Sequence, residues 1–471
     1  MTHIAPMILR ALPFILCLPG LAAPTRVKAQ GSKTAGLLSG RWELAVHLPD
    51  GIYETPVEFQ VQRNGEVTWS VLGQLGDFSI AATSGRLEGD HLTLLATTSF
   101  GQLKVTAVVE GDRLEGKWFP AGFLSQLFFA GEVRGRRAAL KPSTTPRVEI
   151  FDAVWTQVRR DFYASNFNGV DWEAARRRYR PLAASARSDG ELLSVVRRML
   201  GELRASHLEF FAVTNGLTEL PTPRPGATGA HRTFGISWKK LTPAAGYLRI
   251  ERFEDGAGAL ARIDGAFAEL GALPSLVIDL RGNGGGALTA AMRVGDYIFK
   301  EPRRLGYFAS RDGLARRGVA SIDQLAPDSL QDFSGYESEA FNREMRRAGA
   351  LMLATGGRAK SAYQGRVVVL IDEYCYSASE AFAGVVKEMR AATLIGRRTA
   401  GAMLGADVFP IAGGWMLVLP VWDFRTAGGV RVEGVGVEPD IKVKFTEKTD
   451  ADLSEALRFL MAAAPAISPS K

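Results

Sequence analysis

The chain is poor in the residues that most often declare a metal or redox site. It has two cysteines, Cys17 and Cys375, and five histidines in 471 residues. Two distant cysteines provide neither a thiolate cluster for zinc nor a disulfide framework. Long apolar runs are scarce as well. The stretch from Ala11 to Ala23 follows Arg10 and precedes Val27-Lys28-Ala29, and it falls short of the about 20 residues of a membrane helix. It reads as a secretory signal (1–29) cleaved after Ala29, with an N-terminal anchor as the other reading. Cleavage removes Arg10, Arg26 and Lys28 and no acid, taking the net charge from +7 to +4 and leaving Cys375 as the lone thiol. So mild a charge gives no argument for nucleic acid, and runs such as RGRRAALK (134–141) read as solvated faces. A packed small residue is the first reading of Cys375, a reactive thiol the second.

What is present divides into blocks. Residues 36–140 read as an all-β module, an antiparallel barrel or sandwich of short strands. Val57, Phe59 and Val61 alternate with polar residues, Asn64-Gly65 turns the chain, and Val67 and Trp69 return on one face. Gly-Arg-Trp at 40–42 and Gly-Lys-Trp at 116–118 loosely resemble lipocalin-type barrels, which leaves a ligand pocket and a docking module as equal readings. After a linker, KPSTTP (141–146), a small helical bundle is expected over 147–215. Its first helix carries Phe151, Trp155 and Val158, its second is DWEAARRRYR, and its third opens at Ser188 with Glu191 placed for a capping box. The last block, 216–471, alternates strands and helices and predicts an α/β core. Within it the polar, Gly-containing segment 303–365 is too long for a plain connection, and is expected to hold helices and lie over the site.

The chemistry centres on CYSASEAF (375–382), which sits between the apolar run RVVVLIDEY and a helical pattern. Ser377 at such a junction is either a helix cap or a nucleophile. It is not in a Gly-x-Ser-x-Gly elbow. As a nucleophile it would have the Ala378 N–H and the helix dipole beside any oxyanion. Further donors are available from LRGNGGG (280–286), notably Gly284 and Gly285, which can approach a substrate closely. The other reading of that loop is a phosphate site, although GNGGG lacks the P-loop and dinucleotide spacings. Lys387 stands about 15 Å up the same helix and cannot serve as base. Of the histidines, His47 and His91 fall in the β-module, leaving His207 ahead of His231.

LVIDLRGNGGG, then YSASEAF, then VEGVGVEPDI together resemble the C-terminal processing, or tail-specific, serine peptidases, over roughly 147–460. The resemblance implies a Clp protease/crotonase-like core and makes Ser377, the first serine of Ser-Ala-Ser-Glu, the nucleophile, with Ser379 and Glu380 supporting it. The branch that uses a lysine base would carry that lysine where TAGAMLG (399–405) has Ala402, so a Ser-Lys dyad is absent. The sequence is similar instead to the tricorn core peptidases and the interphotoreceptor retinoid-binding protein repeats. That likeness implies His207 as base, Ser206 steering its imidazole, and Glu433 near the nucleophile. A surface strand carboxylate is the other reading of Glu433.

Many tail-specific peptidases carry a PDZ domain between bundle and core. Here 37 residues separate His207 from the strand AGYLRIERF, too few for one. Taken with the N-terminal signal and the mild charge, the resemblance implies an exported, periplasmic or extracellular peptidase acting on polypeptides, with no metal, organic cofactor, nucleic-acid partner or stable membrane insertion. An esterase or amidase, and a binder of apolar ligands on the same scaffold, are the alternatives.

Overall fold

The computed structural model describes residues 38–48, 51–73, 80–98, 101–121, 130–138, 145–212, 235–356, 362–446 and 449–462. The expected signal segment and His231 lie outside them. Among the described residues no helix is long and apolar enough to cross a membrane.

The N-terminal module is one antiparallel sheet of β1 (Gly40–Leu48), β2 (Gly51–Val61), β3 (Val67–Val71), β4 (Ile80–Glu88), β5 (His91–Thr98), β6 (Gly101–Glu110), β7 (Arg113–Ala121) and β8 (Gly131–Arg137). The order β3-β2-β1-β8-β7-β6-β5-β4 brings the two outer strands round to each other, where Glu66 bridges Arg86. The result is nearly a barrel and not a sandwich of two sheets. Alternation decides what points inward: Phe59 pairs with Trp69 and Val57 with Val71, and these four join Trp42, Leu92, Leu94 and Leu114 in the interior.

Three helices follow, α1 (Arg147–Asp161), α2 (Trp172–Ser185) and α3 (Asp189–Gly201). Ser188 caps α3 by accepting the Glu191 N–H at 3.1 Å. The Glu191 carboxylate, however, takes the N–H of Arg187 instead of Ser188, so only half of the expected capping box forms. The helical segment does not run unbroken to 215, because residues 209–212 form β9 (Glu209–Ala212) and join a sheet of the core.

The core begins with the hairpin β10 (Ile236–Thr242) and β11 (Ala245–Ile250), then α4 (Ala257–Leu270), β12 (Ser275–Asp279) and α5 (Leu288–Ile298). After it come β13 (Arg304–Ser310), α6 (Arg311–Arg316), β14 (Asp332–Phe333), α7 (Ser338–Ala348) and β15 (Ala350–Ala354). The chain continues through β16 (Arg366–Ile371), α8 (Ala378–Glu388), β17 (Thr393–Gly396), β18 (Gly405–Ile411), β19 (Trp415–Thr426), β20 (Ile441–Lys442) and α9 (Ala451–Ala462). One sheet has the order β10-β11-β12-β16-β17-β20 and is parallel from β11 onward. Both of its faces are covered: Ile278 and Val369 pack with the main helical core, while Val277 and Val368 pack under Ala456 and Leu460 of α9. Burial on both sides explains why LVIDL and RVVVLI are apolar without alternation.

The second sheet, β14-β15-β13-β19-β18 with β9 beside β19, corrects the expectation for 303–365. That segment does contain helices, but β13 and β15 are buried interior strands, and Phe308 and Leu351 belong to the main core. It is part of the scaffold and not a cover laid over it.

An ionic lattice ties α9 to the end of β12. Asp279, 1% exposed, accepts from Tyr247, Arg249 and Arg281, and Arg281 continues to Asp450 and Asp452. Burial alone would raise the Asp279 pKa, but Arg281 and Arg249 outweigh it and hold the carboxyl below its usual range. A depressed carboxylate pKa stabilises the fold above the unfolded value of about 4 and is lost as pH falls through the folded one. Asp279→Asn is therefore expected to lower the unfolding free energy by about 3–5 kcal/mol at pH 7. The deficit should shrink in urea titrations repeated from pH 5 to pH 3; a deficit constant with pH would contradict this account.

Candidate active site

Strands β12 and β16 are parallel neighbours, so the loops leaving their C-terminal ends emerge side by side, where ligands gather in open α/β sheets. The β12 loop carries RGNGGG and the β16 loop carries Ser377. Asn283, fully buried, joins them. Its carbonyl accepts the Tyr376 N–H at 3.1 Å and the Ser379 hydroxyl at 2.8 Å. Its amide donates to Ile250 O at 2.9 Å and accepts the Gly285 N–H at 2.8 Å. Asn283 went unremarked in the sequence, where the only signal is a lone asparagine inside a glycine run.

Ser377 does not cap α8. Its backbone has φ +55° and ψ −121°, and its hydroxyl makes no capping hydrogen bond. A non-glycine residue held there is strained by about 1–3 kcal/mol, a condition that concentrates at functional sites. The Ser377 N–H is anchored on Ala402 O at 2.9 Å, and Oγ has no hydrogen-bond partner among the described residues. Beside it, the N–H groups of Gly284 and Ala378 also lack acceptors among the described residues, Ala378 being the first residue of α8. Gly285 has a different place from the one expected. Its N–H is committed to Asn283, so it is not a free donor; a Cβ there would stand 2.7 Å from Ser377 Cβ, which is why the position takes glycine. Gly282 N–H is committed to Asp372. A carboxylate facing this loop disfavours the phosphate reading.

His207 follows α3, with φ +57°. Its Nδ1 lies 2.9 Å from Ser206 Oγ, which in turn lies 2.9 Å from Glu433 Oε2. The one hydroxyl proton of Ser206 goes to the carboxylate, an acceptor only, so Ser206 Oγ accepts from His207 Nδ1–H. This sets the tautomer and leaves Nε2 as the unprotonated nitrogen. Although the ring keeps some solvent exposure, the protein atoms crowding it lower the His207 pKa to about 4. Glu433, 6% exposed, also accepts the backbone N–H of Ser206 at 3.0 Å and of Met403 at 2.7 Å. It is a buried hub and not a surface carboxylate. Among the described residues it makes no hydrogen bond to Ser377; its link to the site runs through Ser206.

Ala402 lies in the turn that anchors Ser377. Glu380, fully buried on α8, holds that turn by accepting from Thr399 Oγ1, Gly401 N–H and Ala402 N–H. Burial raises the Glu380 pKa above the usual carboxylate range. Lys387 points to the far end of the helix, where Nζ reaches the Glu438 carbonyl and Asp440.

With this geometry in view, comparison with known proteins is specific. Residues 244–443 match peptidase family S41, and residues 144–201 match the tricorn protease C1 domain. The S41 match spans the strands and helices from β11 to β20, the Ser377 loop included. The chain is 27% identical over 217 residues to the chloroplastic C-terminal processing peptidase of Tetradesmus obliquus, covering 46% of this chain and 38% of that protein. It is 24% identical over 407 residues to tricorn protease homolog 1 of Streptomyces coelicolor, covering 69% of this chain and 36% of that one. It thus spans little more than a third of the length of these relatives. Among solved structures, the photosystem II D1 C-terminal processing protease aligns with a TM-score of 0.44 at 19% identity, over 67% of this chain and 98% of that one.

Cys375, two residues before Ser377 in the core, is fully buried. Burial pushes its thiol well above the ordinary range, and Sγ donates to Leu280 O at 3.0 Å. In a chain lacking residues 1–29, iodoacetamide at pH 8 should leave the folded protein unlabelled and label it once unfolded in guanidinium. Labelling of the folded chain at a free-thiol rate would refute the packed role.

Proposed function

We propose that this chain is an exported serine endopeptidase in which Ser377 is the nucleophile and His207 the general base. Ser206 and Glu433 orient the base, and Gly284 and Ala378 donate to the oxyanion. The observation that carries the reading is Ser377 itself: a serine at a strand–helix junction, held at positive φ, whose hydroxyl, like the N–H groups of Gly284 and Ala378, is unengaged among the described residues. A structural cap would need none of this.

In the reaction, His207 Nε2 takes the Ser377 proton as Oγ attacks the scissile carbonyl carbon. The oxygen of the tetrahedral intermediate is stabilised by the N–H groups of Gly284 and Ala378, at the positive end of the α8 dipole. His207 then returns the proton to the leaving amine, and water, deprotonated by the same nitrogen, releases the acyl group. Glu433 supports the imidazolium through the Ser206 hydroxyl, the part a carboxylate plays directly in a Ser-His-Asp triad. The gap between β9 and β10 is too short for a PDZ domain, so substrate selection would rest on the core and the barrel. Export rests on the Arg10 and Ala11–Ala23 pattern of the N-terminus.

The test is digestion of casein and of simple esters by the chain lacking residues 1–29. Ser377→Ala and His207→Ala are each expected to lose about 10⁴-fold or more in kcat, and the double variant little further. Because burial holds the His207 pKa near 4, the base is already deprotonated at pH 5. The acid limb of kcat/KM should accordingly lie near pH 4 and not near the 6.5 of a free imidazole. Turnover of esters alone would identify a small-substrate acyl hydrolase, and no turnover of either would remove the catalytic reading.

A further inference from the structure

The barrel touches the core at both ends of the segment that carries His207. Strands β1, β2 and β3 place Arg41, Glu58 and Ser70 in one cross-strand row, and that row faces the N-terminus of α3. Glu58 Oε2 accepts the Gly190 N–H at 2.6 Å, and Arg41 pairs with the buried Asp189 at 3.0 Å. Asp189 is the first residue of α3 and Glu58 reaches its first turn from β2, so the helix dipole favours both charges. Gly190 is packed closely on the row: a Cβ there would stand 2.7 Å from Ser70 Oγ and 3.0 Å from Glu58 Oε2. At the other end, Leu72 leaves β3 and buries its side chain in the peptidase core, not in the barrel. Its carbonyl accepts the Ala212 N–H at 2.5 Å, at the end of β9. Ser206 and His207 lie between these two attachments, at a turn with positive φ.

We propose that the N-terminal barrel is a positioning element for the base, in which Glu58 and Leu72 fix the two ends of the His207 segment. This rests on the peptidase reading above. A strained turn keeps one geometry only while its flanks are over-determined, and the barrel supplies one anchor on each flank. Loosening either displaces Nε2 from Ser377 while leaving Ser377, Gly284 and Ala378 in place.

The experiment compares the mature chain with Glu58→Ala, Glu58→Gln, Gly190→Ala and Ser377→Ala. It measures kcat and KM on a peptide taken from the casein digest, the melting temperature, and the ring resonances of His207, assigned by their loss in His207→Gln. Glu58→Ala is expected to lower kcat about ten- to hundredfold with little change in KM, since small misplacements of a catalytic group cost on this order. Its His207 resonance should move. Glu58→Gln keeps an acceptor for the Gly190 N–H and should keep most of the turnover. Should Glu58→Ala fail to fold, Gly190→Ala decides: alanine favours the helix, yet its methyl pushes α3 off the row, so kcat should fall without a loss of melting temperature. Wild-type kcat and an unmoved His207 resonance in Glu58→Ala or Gly190→Ala would overturn the proposal. An intact chain no more active than Ser377→Ala would instead remove the peptidase reading, and the resonance would still decide the positioning.

Discussion

Glu433 is a carboxylate with almost no access to water, and such a group persists only where protein donors replace its hydration. The three donors that do so come from two separate places: the N–H and hydroxyl of Ser206, and the N–H of Met403. Satisfying one buried charge therefore draws the segment that carries His207 onto the turn before β18. That turn presents Ala402 O to the Ser377 N–H. His207 and Ser377 are 170 residues apart in sequence. What brings their supports together is less the packing of apolar faces than the need of this carboxylate for hydrogen bonds.

A second buried carboxylate makes the arrangement rigid. The successive N–H groups of Ala402 and Met403 go to Glu380 and Glu433 respectively, so the turn is pinned from both sides. The two acids repel, and the charge on Glu433 adds to the burial that raises the Glu380 pKa. The backbone donors and the Thr399 hydroxyl offset this. Ala402 stands where a lysine base would be expected in the other branch of the family. In this chain the position contributes through its backbone, and the base we propose, His207, lies on a different segment.

Much of this was legible in the sequence, for a physical reason. Strands buried on both faces are apolar throughout, and helices lying on them are apolar at helical spacing, so the alternation over 245–396 could be read directly. Ser377 stood out by its strand–helix junction and the Ser-Ala-Ser-Glu resemblance, and His207 because few histidines lie outside the signal and the β-module. The second sheet was not legible. β9 pairs with β19 across some two hundred residues, and β13 and β15 are separated by polar turns and helices that mask their burial. Nor could the sequence reveal the use of individual N–H groups. Gly284 and Gly285 are equivalent in composition, yet the neighbouring Asn283 amide occupies one and leaves the other unengaged among the described residues. The relay through Ser206 depends likewise on a proton count at one hydroxyl.

Two residues at the site, Ser377 and His207, sit at positive φ without being glycine. At about 1–3 kcal/mol each, such strain is a sizeable share of the 5–15 kcal/mol that holds a typical domain folded. It is tolerable only if relaxing either residue would break stronger contacts. For Ser377 those are Asn283 bridging the two loops and Ala402 holding the Ser377 N–H. For His207 they are the Glu433 carboxylate, the Asn168 amide on Leu203 O and the two flanks of the segment. A β-module that merely tethered substrate would have no reason to bury Leu72 in the peptidase core or to place an acid on the first turn of α3. That it does both makes the barrel part of the restraint on the strained turn, so the core and the module in front of it are one mechanical unit.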